Sequence, residues 1–123
     1  MNRPELSLIF PAFNEEENIQ ETLKEYSTEL HDINCELIVV DDGSSDETWA
    51  YLQDLTERFC SIKCYRVDTP QGACNARNIA LSKITGNWVF FADDDVRFNI
   101  NLLKDAYDSI QKIGLTSFTF SCL

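Results

Sequence analysis

With 123 residues, of which 44% are hydrophobic and 25% charged, the chain has the size and composition of one ordinary globular domain. Ten Lys and Arg against 21 Asp and Glu give a net charge of −11, which disfavours a nucleic-acid backbone as a partner and favours a cation, or a ligand that arrives with one. Five cysteines without a C-x-x-C pair and a single histidine offer no zinc-ligand spacing.

The first predicted unit is a strand followed by a helix. The apolar run LSLIFPAF, residues 6–13, predicts a strand that Pro11 breaks, because proline cannot donate to a hydrogen-bond ladder. Residues 14–30 then have apolar side chains at steps of four and three, which indicates one buried stripe of a helix. Asn14 and Glu17 have the spacing of a capping box, so we expect the helix to begin there.

The alternation of short apolar runs and helical periods continues to the end of the chain. Ser44 and Glu47 offer a second capping box, and Gly86 is predicted to end the third helix. The remaining predicted elements are a strand at 35–40, a helix at 45–59, a strand at 62–67, a helix at 73–84, a strand at 88–92, a helix at 100–113 and a strand at 115–123. These βα units predict a three-layer α/β/α, Rossmann-like fold with a mainly parallel sheet.

Residues 1–123 are expected to form a single domain. The chain stops inside an apolar, strand-like segment, and natural domains seldom end on an exposed strand, so we expect a truncated domain of a longer protein. Its apolar runs are too short for a signal peptide or a membrane span. We therefore expect reduced thiols and a cytoplasmic location, or a position at the cytoplasmic face of the membrane within a longer parent.

Acidic side chains follow three of the predicted strands. In an open parallel sheet the carboxyl ends of the strands share one edge, where ligands bind. The segments PAFNEE, DDGSSD and ADDDV therefore lie at that edge, and we expect eight carboxylates in or directly beside them to share it: Glu15, Glu16, Glu17, Asp41, Asp42, Asp93, Asp94 and Asp95. Concentrated in this way, they favour a bound cation.

The three consecutive aspartates carry the strongest signal at this edge. Carboxylates this close repel one another by about 1 kcal/mol per pair in water. A turn needs only one aspartate, whereas a hard divalent ion needs several carboxylate oxygens, so Asp93–Asp95 favour a metal site. Asp41 and Asp42 precede Gly43 and also suit an ordinary turn. Arg77, one of the few cations near this edge, suits either phosphate recognition or a solvated helix surface.

Several segments in register resemble a known family. The matching stretches are SLIFPAFNEEENIQETL, ELIVVDDGSSDET and GACNARNIALSKITGNWVFFADDD. They resemble the amino-terminal, nucleotide-sugar-binding half of the family 2 inverting glycosyltransferases with the GT-A fold, from Leu6 to about Tyr107. The resemblance implies a nucleotide-sugar donor, a divalent ion and transfer of the sugar to a glycan, lipid or protein acceptor.

The resemblance also implies roles for individual residues. The strand-one residues that would lie against the base and ribose are Pro11, Ala12, Phe13 and Glu15. Asp42, with Asp41 beside it, would accept a hydrogen bond from the base, which favours a uracil nucleotide and hence a UDP-sugar. Arg77 would lie near the nucleotide.

The stretch from Ala92 to Asp95 falls on the family's D-x-D motif, whose carboxylates hold Mg²⁺ or Mn²⁺ against the donor diphosphate. In one register Ala92 replaces the first motif aspartate and Asp94 and Asp95 bind. In the other, Asp93 and Asp95 form the motif. Asp95 is the expected metal ligand in both registers, and such an ion would stabilise the departing diphosphate.

Inverting transfer needs an acidic general base, and no Asp or Glu that could serve as one follows Asp108. The resemblance places that base and the acceptor pocket in a carboxyl-terminal half, so we expect this chain to bind a donor but to turn over little or nothing alone. Two alternatives remain: a catalytically inactive nucleotide-binding module, and a phosphoacceptor receiver module, whose acidic residues follow different strands.

Overall fold

The computed structural model describes residues 3–92, 96–113 and 118–121. Strands and helices alternate throughout these residues, as predicted. In chain order they are β1 Leu6–Ala12, α1 Ile19–Glu29, β2 Cys35–Asp42, α2 Thr48–Arg58, β3 Ile62–Val67, α3 Ala73–Leu81, β4 Trp88–Phe91, α4 Val96–Ile113 and β5 Phe118–Ser121. No helix in this part of the chain combines the length and the apolar character needed to span a membrane.

The five strands form one parallel sheet in the order β3-β2-β1-β4-β5. This is the beginning of the Rossmann order, in which the chain crosses to the other side of β1 after the third strand. Receiver modules have the order 2-1-3-4-5, so the receiver alternative is wrong. Because the direction of winding reverses between β1 and β4, the carboxyl ends of these two strands form the topological switch point, where open α/β sheets have their ligand crevice.

Helices cover both faces of the sheet, which confirms the three-layer fold. Along β1 the side chains alternate: Leu8 and Phe10 belong to one apolar cluster, and Ile9 belongs to the other. The first cluster includes buried residues of α1, α2 and α4, and the second includes Ala76 and Ala80 of α3. β1 is therefore buried on both faces and is the centre of the fold.

Pro11 does not break the first strand, contrary to the prediction. It lies inside β1, in register with Val40 of β2. The Ile9 carbonyl accepts from the Ala92 amide at 2.8 Å, so the backbone of Pro11, two residues further on, also faces the β4 side. The pairing between β1 and β4 ends at Ile9↔Phe91, before Pro11 is reached. No ladder hydrogen bond is therefore needed from the backbone nitrogen of Pro11, and the missing N–H costs nothing.

Neither predicted capping box forms. α1 begins at Ile19 and α2 at Thr48, each without a side-chain cap. Asn14 lies four residues before Asn18, the residue that precedes α1, and has a positive φ of 49°. The side chains of Asn14 and Ser44 are instead used in hydrogen bonds between loops, and these tertiary contacts outweigh the local capping preference.

Gly86 does not end α3, which stops five residues earlier at Leu81. Its function is close packing on β1: its N–H donates to Ser7 Oγ at 2.9 Å, and an added Cβ would lie 2.6 Å from that oxygen. α4 also differs from the prediction, since it begins at Val96 rather than at residue 100.

A buried carboxylate fixes the amino-terminal part of β2 to its surroundings. Glu36 is 2% exposed, and its oxygens accept from Ser7 Oγ at 2.6 Å, Lys63 Nζ at 2.7 Å and the Thr85 amide at 2.7 Å. Burial by itself raises the pKa of Glu36, but the hydrogen bonds from Lys63, Ser7 and Thr85 together outweigh it and hold the pKa below its ordinary value. The ionised form therefore stabilises the fold.

We expect Glu36→Gln to lower the free energy of unfolding by about 1–3 kcal/mol at pH 7, because a buried charged acceptor is lost. Since the folded pKa is lowered, this contribution is complete above the unfolded pKa of about 4.3 and is lost as the pH falls through the folded value. Urea unfolding at pH 7 and at about pH 3 should therefore show a difference between wild type and variant that shrinks in acid. Exposed Glu57→Gln is the control. A difference that persists undiminished in acid would contradict the assignment.

Candidate functional site

The topological switch point lies at the carboxyl ends of β1 and β4, beside the described loops that follow β1 and β2. The fold thus brings the segments PAFNEE and DDGSSD to one edge of the sheet, as predicted. Asp93, Asp94 and Asp95 follow β4 but lie outside the described residues, so their expected role in binding a metal stays a prediction. Within 3–92, 96–113 and 118–121, no three His, Cys, Asp or Glu side chains are grouped closely enough to hold a metal ion.

The side chains at the end of β1 and just beyond it differ in how much of their surface is exposed. Pro11 is half-buried and Ala12 is buried, whereas Phe13, just beyond the strand, has 48% of its surface exposed. Glu15 is half-buried, and its amide donates to Thr48 Oγ1 at 2.8 Å. An exposed aromatic ring at a strand end in this crevice offers a flat apolar surface to a ligand.

Reciprocal hydrogen bonds join the loops after β1 and β2. The Asn14 amide donates to Ser44 Oγ at 2.8 Å, and the Ser45 amide donates to Asn14 Oδ1 at 2.9 Å. Two residues further along each loop, the Glu47 amide donates to Glu16 Oε2 at 3.0 Å. Because each loop satisfies amides of the other, the two loops form a single unit at the edge of the sheet.

Thr48 is fully buried at the start of α2 and is held by its neighbour Asp46. The Thr48 hydroxyl donates to Asp46 Oδ1 at 2.6 Å and the Thr48 amide donates to the same atom at 2.9 Å. Burial tends to raise the pKa of Asp46, but the hydrogen bonds from Thr48 and from the Glu16 amide lower it on balance. Sequence reasoning missed both residues, although DET has the spacing of a side chain that bonds the backbone two residues on.

Asp41 has no exposed surface, so it does not line the crevice. Its Oδ1 accepts from the Ser44 amide at 3.2 Å and from the Ser44 hydroxyl, and its Oδ2 accepts from Arg66 Nη1 at 3.3 Å. Sequence reasoning also missed Arg66. The sequence carried no signal for it, because the position of Arg66 directly opposite Asp41 follows from the register of the β2–β3 ladder.

Asp42 binds the loop that connects β3 to α3. It is 6% exposed, and its two oxygens accept from the Gln71 amide at 2.8 Å and the Gly72 amide at 2.9 Å. Each carboxylate oxygen has a second lone pair, so this arrangement leaves acceptor capacity. Next to it, Gly43 has a φ of 70°, and a Cβ there would lie 2.8 Å from Pro70, so the two loops pack backbone against backbone.

Arg77 lies on α3, which begins at this edge because it follows the β3–α3 loop. Its side chain is half-buried, and the described residues provide no hydrogen-bond or ion-pair partner for its guanidinium. A cavity of about 480 Å³ lies at the opposite edge of the sheet, between the end of α1 and the start of β2. Its walls include the core residues Leu8 and Leu37, which are 1% and 4% exposed. Because ligands of open parallel sheets bind at the switch point and this cavity lies at the opposite edge, we assign the site to the switch point.

A family model decides the identity of the domain. The model described as glycosyl transferase family 2 matches residues 7–122, nearly the whole chain. The chain belongs to glycosyl transferase family 2. The resemblance stated from the sequence motifs is thereby confirmed, and the α/β fold with its parallel sheet is the one found in solved glycosyltransferases of this family.

One curated relative of this family 2 domain is an uncharacterized glycosyltransferase of Haemophilus influenzae, 33% identical over 95 residues, which are 77% of this chain and 38% of that protein. Among solved structures, Staphylococcus aureus TarS 1-349 in complex with UDP has a TM-score of 0.69 at 30% identity, over 88% of this chain and 32% of that one. The complex with UDP-GlcNAc has a TM-score of 0.67.

A mannosyltransferase from Pyrobaculum calidifontis in complex with GDP-Man and Mn²⁺ is also similar, with a TM-score of 0.66 at 29% identity, over 77% of this chain and 28% of that one. The family 2 chain therefore spans 38% of the Haemophilus relative and about a third or less of the two solved glycosyltransferases.

We expect Asp42→Asn to release the β3–α3 loop, because an amide can accept one of the two backbone N–H groups but presents its own NH₂ to the other. Loss of this charged acceptor should lower the free energy of unfolding by about 1–3 kcal/mol. Amide hydrogen exchange measured by NMR should show lost protection at Gln71 and Gly72. Asp105→Asn, an exposed change on α4, is the control. Unchanged protection at both amides would show that Asp42 does not hold this loop.

Proposed function

We propose that residues 1–123 form the donor-binding domain of a family 2 glycosyltransferase, which binds a nucleoside diphosphate sugar at the β1/β4 switch point. The observation that carries the proposal is the joining of the PAFNEE and DDGSSD loops into one unit where the strand order reverses. In open parallel sheets this is where nucleotides bind. The similar TarS and mannosyltransferase structures contain UDP, UDP-GlcNAc and GDP-Man, which supports a donor of this class.

The nucleoside part of the donor is proposed to lie along the end of β1. Pro11, Ala12 and Glu15 border the path, and the exposed ring of Phe13 offers a surface on which a base or ribose can pack. Asp42 is proposed to accept from the base N–H through the lone pairs that the β3–α3 loop leaves free. Uracil satisfies this acceptor, so a UDP-sugar is the favoured donor.

Binding of the diphosphate is proposed to use one cation of the chain and one from solution. Arg77 is half-buried without a described partner, and a guanidinium matches phosphate oxygens geometrically. Asp95, with Asp93 or Asp94, would hold Mg²⁺ or Mn²⁺, since three consecutive carboxylates after β4 suit a hard divalent ion. Bound there, such an ion would stabilise the negative charge that develops on the departing nucleoside diphosphate. The Mn²⁺ in the similar mannosyltransferase supports this assignment.

Transfer is proposed to proceed with inversion, using an acidic general base and an acceptor site contributed by residues outside these 123. The acceptor, whether glycan, lipid or protein, would be recognised there. The domain by itself is accordingly proposed to bind donor and metal with little or no turnover. Asp41 would then act from within the protein, by holding the turn that carries Asp42.

Calorimetric titration of UDP into the purified chain, with Mn²⁺ and again with EDTA, tests the proposal. We expect saturable binding that weakens at least about tenfold, or 1.4 kcal/mol, both in EDTA and in Asp95→Ala with Mn²⁺. Asp105→Ala, on the exposed side of α4, is the matched control and should bind as wild type does.

Two results would count against the proposal. If folded wild type binds neither UDP nor GDP in the presence of Mn²⁺, the domain is not a nucleotide-binding unit. If UDP binds equally well in EDTA and in Asp95→Ala, the metal assignment is wrong and the nucleotide site stands without it. Detectable sugar transfer to any acceptor by the chain alone would overturn the claim that the general base lies elsewhere.

A further inference from the structure

Arg66 of β3 is held in one orientation by three different groups. Its Nη1 lies 3.3 Å from Asp41 Oδ2 and its Nη2 lies 3.0 Å from the Ser44 carbonyl oxygen. The guanidinium carbon is 5.8 Å from the centre of the Trp49 ring, within the range of a cation–π contact. The two N–H contacts use both arms of the planar fork, which a lysine ammonium cannot reproduce.

The Asp41 carboxylate depends on this arginine. Asp41 is 0% exposed, and an ionised carboxylate taken out of water needs both a counter-charge and hydrogen bonds. Arg66 supplies the counter-charge at Oδ2, while Ser44 donates both its amide and its hydroxyl to Oδ1. Arg66 therefore fixes the Asp41–Ser44 turn from two directions, through the carboxylate and through the Ser44 carbonyl.

The turn in its own right fixes the loop after β1. Ser44 Oγ accepts from the Asn14 amide at 2.8 Å, and Asn14 Oδ1 accepts from the Ser45 amide at 2.9 Å. Asn14 has a φ of 49°, in the left-handed region that asparagine adopts more readily than most residues, and its two hydrogen bonds to the turn hold it there. Phe13 and Glu15 are its direct neighbours, so their positions follow from where Ser44 lies.

We infer that Arg66 is a positioning residue for nucleoside recognition: by holding Asp41 and the Ser44 carbonyl, it sets the geometry of the loop at Asn14 on which Phe13 and Glu15 are placed. The inference rests on the proposed function and extends it to a residue outside the crevice. Arg66 should affect binding of the base and ribose alone, because its guanidinium N–H groups already donate to protein groups and do not bind the diphosphate. Arg77 has no partner among the described residues, so its guanidinium can bind a phosphate.

The test separates the two parts of the donor. Affinities for UDP with Mn²⁺, for uridine, and for pyrophosphate with Mn²⁺ are measured for wild type, Arg66→Met and Arg66→Lys. Loss of a charge-assisted contact in the positioning chain should weaken UDP and uridine about tenfold in Arg66→Met and nearly as much in Arg66→Lys. Pyrophosphate affinity should stay within about twofold, since Arg77, the proposed phosphate ligand, lies on α3 and not on the loop at Asn14.

Two further variants keep the result interpretable. Arg58→Met removes an arginine from an exposed ion pair with Asp54 and should change none of the three affinities. Asp41→Asn with Arg66→Met leaves no uncompensated buried charge, so it provides a folded protein if Arg66→Met alone unfolds, and it should show the same loss for uridine. In nitrogen-15 spectra the Asn14 amide should shift in both Arg66 variants and stay in place in Arg58→Met.

Each outcome has one meaning. A selective loss for UDP and uridine together with the Asn14 shift supports the inference. Equal losses for all three ligands, or unchanged uridine binding in a folded Arg66→Met or double variant, overturn it while leaving the donor site intact. If folded wild type binds neither nucleotide nor uridine, the proposed function fails, and this inference fails with it.

Discussion

The geometry of the carboxyl edge depends on a carboxylate that never reaches water. Asp41 is the penultimate residue of β2, and its buried oxygens are satisfied by Ser44 on one side and Arg66 on the other. Because a buried carboxylate is tolerated only when all of its hydrogen-bond and ion-pair partners are in place, the backbone around Asp41 has little freedom to relax. The next residue, Asp42, leaves the strand in a fixed direction and binds the loop before α3.

Polar side chains that elsewhere cap helices are used here to connect loops. Asn14, Ser44 and Thr48 each satisfy a backbone amide or hydroxyl in the neighbouring loop, and both α1 and α2 begin without a side-chain cap. An N-cap contributes about 1 kcal/mol, so the helices lose a local contribution while the two loops gain a fixed relation to each other. A site assembled from separate loops needs that fixed relation more than it needs stable helix ends.

The sequence predicted the elements well because their signals are local. Five apolar runs and four helical periods sufficed for the order of elements and the three layers, and the PAFNEE and DDGSSD segments lie at the predicted edge of the sheet. Helix starts failed where local preference competed with tertiary contacts: Asn14 and Ser44 have a capping pattern but bond across loops. Pro11 was misjudged because its tolerance depends on where the neighbouring ladder ends.

The buried side of the site could not be read in advance. That Asp41 faces inward and Asp42 holds a loop depends on the register between β2 and β3, and a shift of one residue exchanges the faces of a strand. Arg66 gave no signal in a strand of mixed polarity until its partner was known. The motifs pointed to the exposed Phe13 and to the half-buried Arg77, which has no partner among the described residues; their role in binding belongs to the proposed function.

β3 forms one end of the sheet and pairs only with β2 in the part of the chain that the structure describes. An open strand edge of this kind invites pairing with a second molecule. Lys63 and Arg66 lie on this strand, and each is drawn inward to a buried carboxylate of β2. Their charges thus have a second consequence, since positive side chains on a terminal strand disfavour sheet-to-sheet association between copies of the domain.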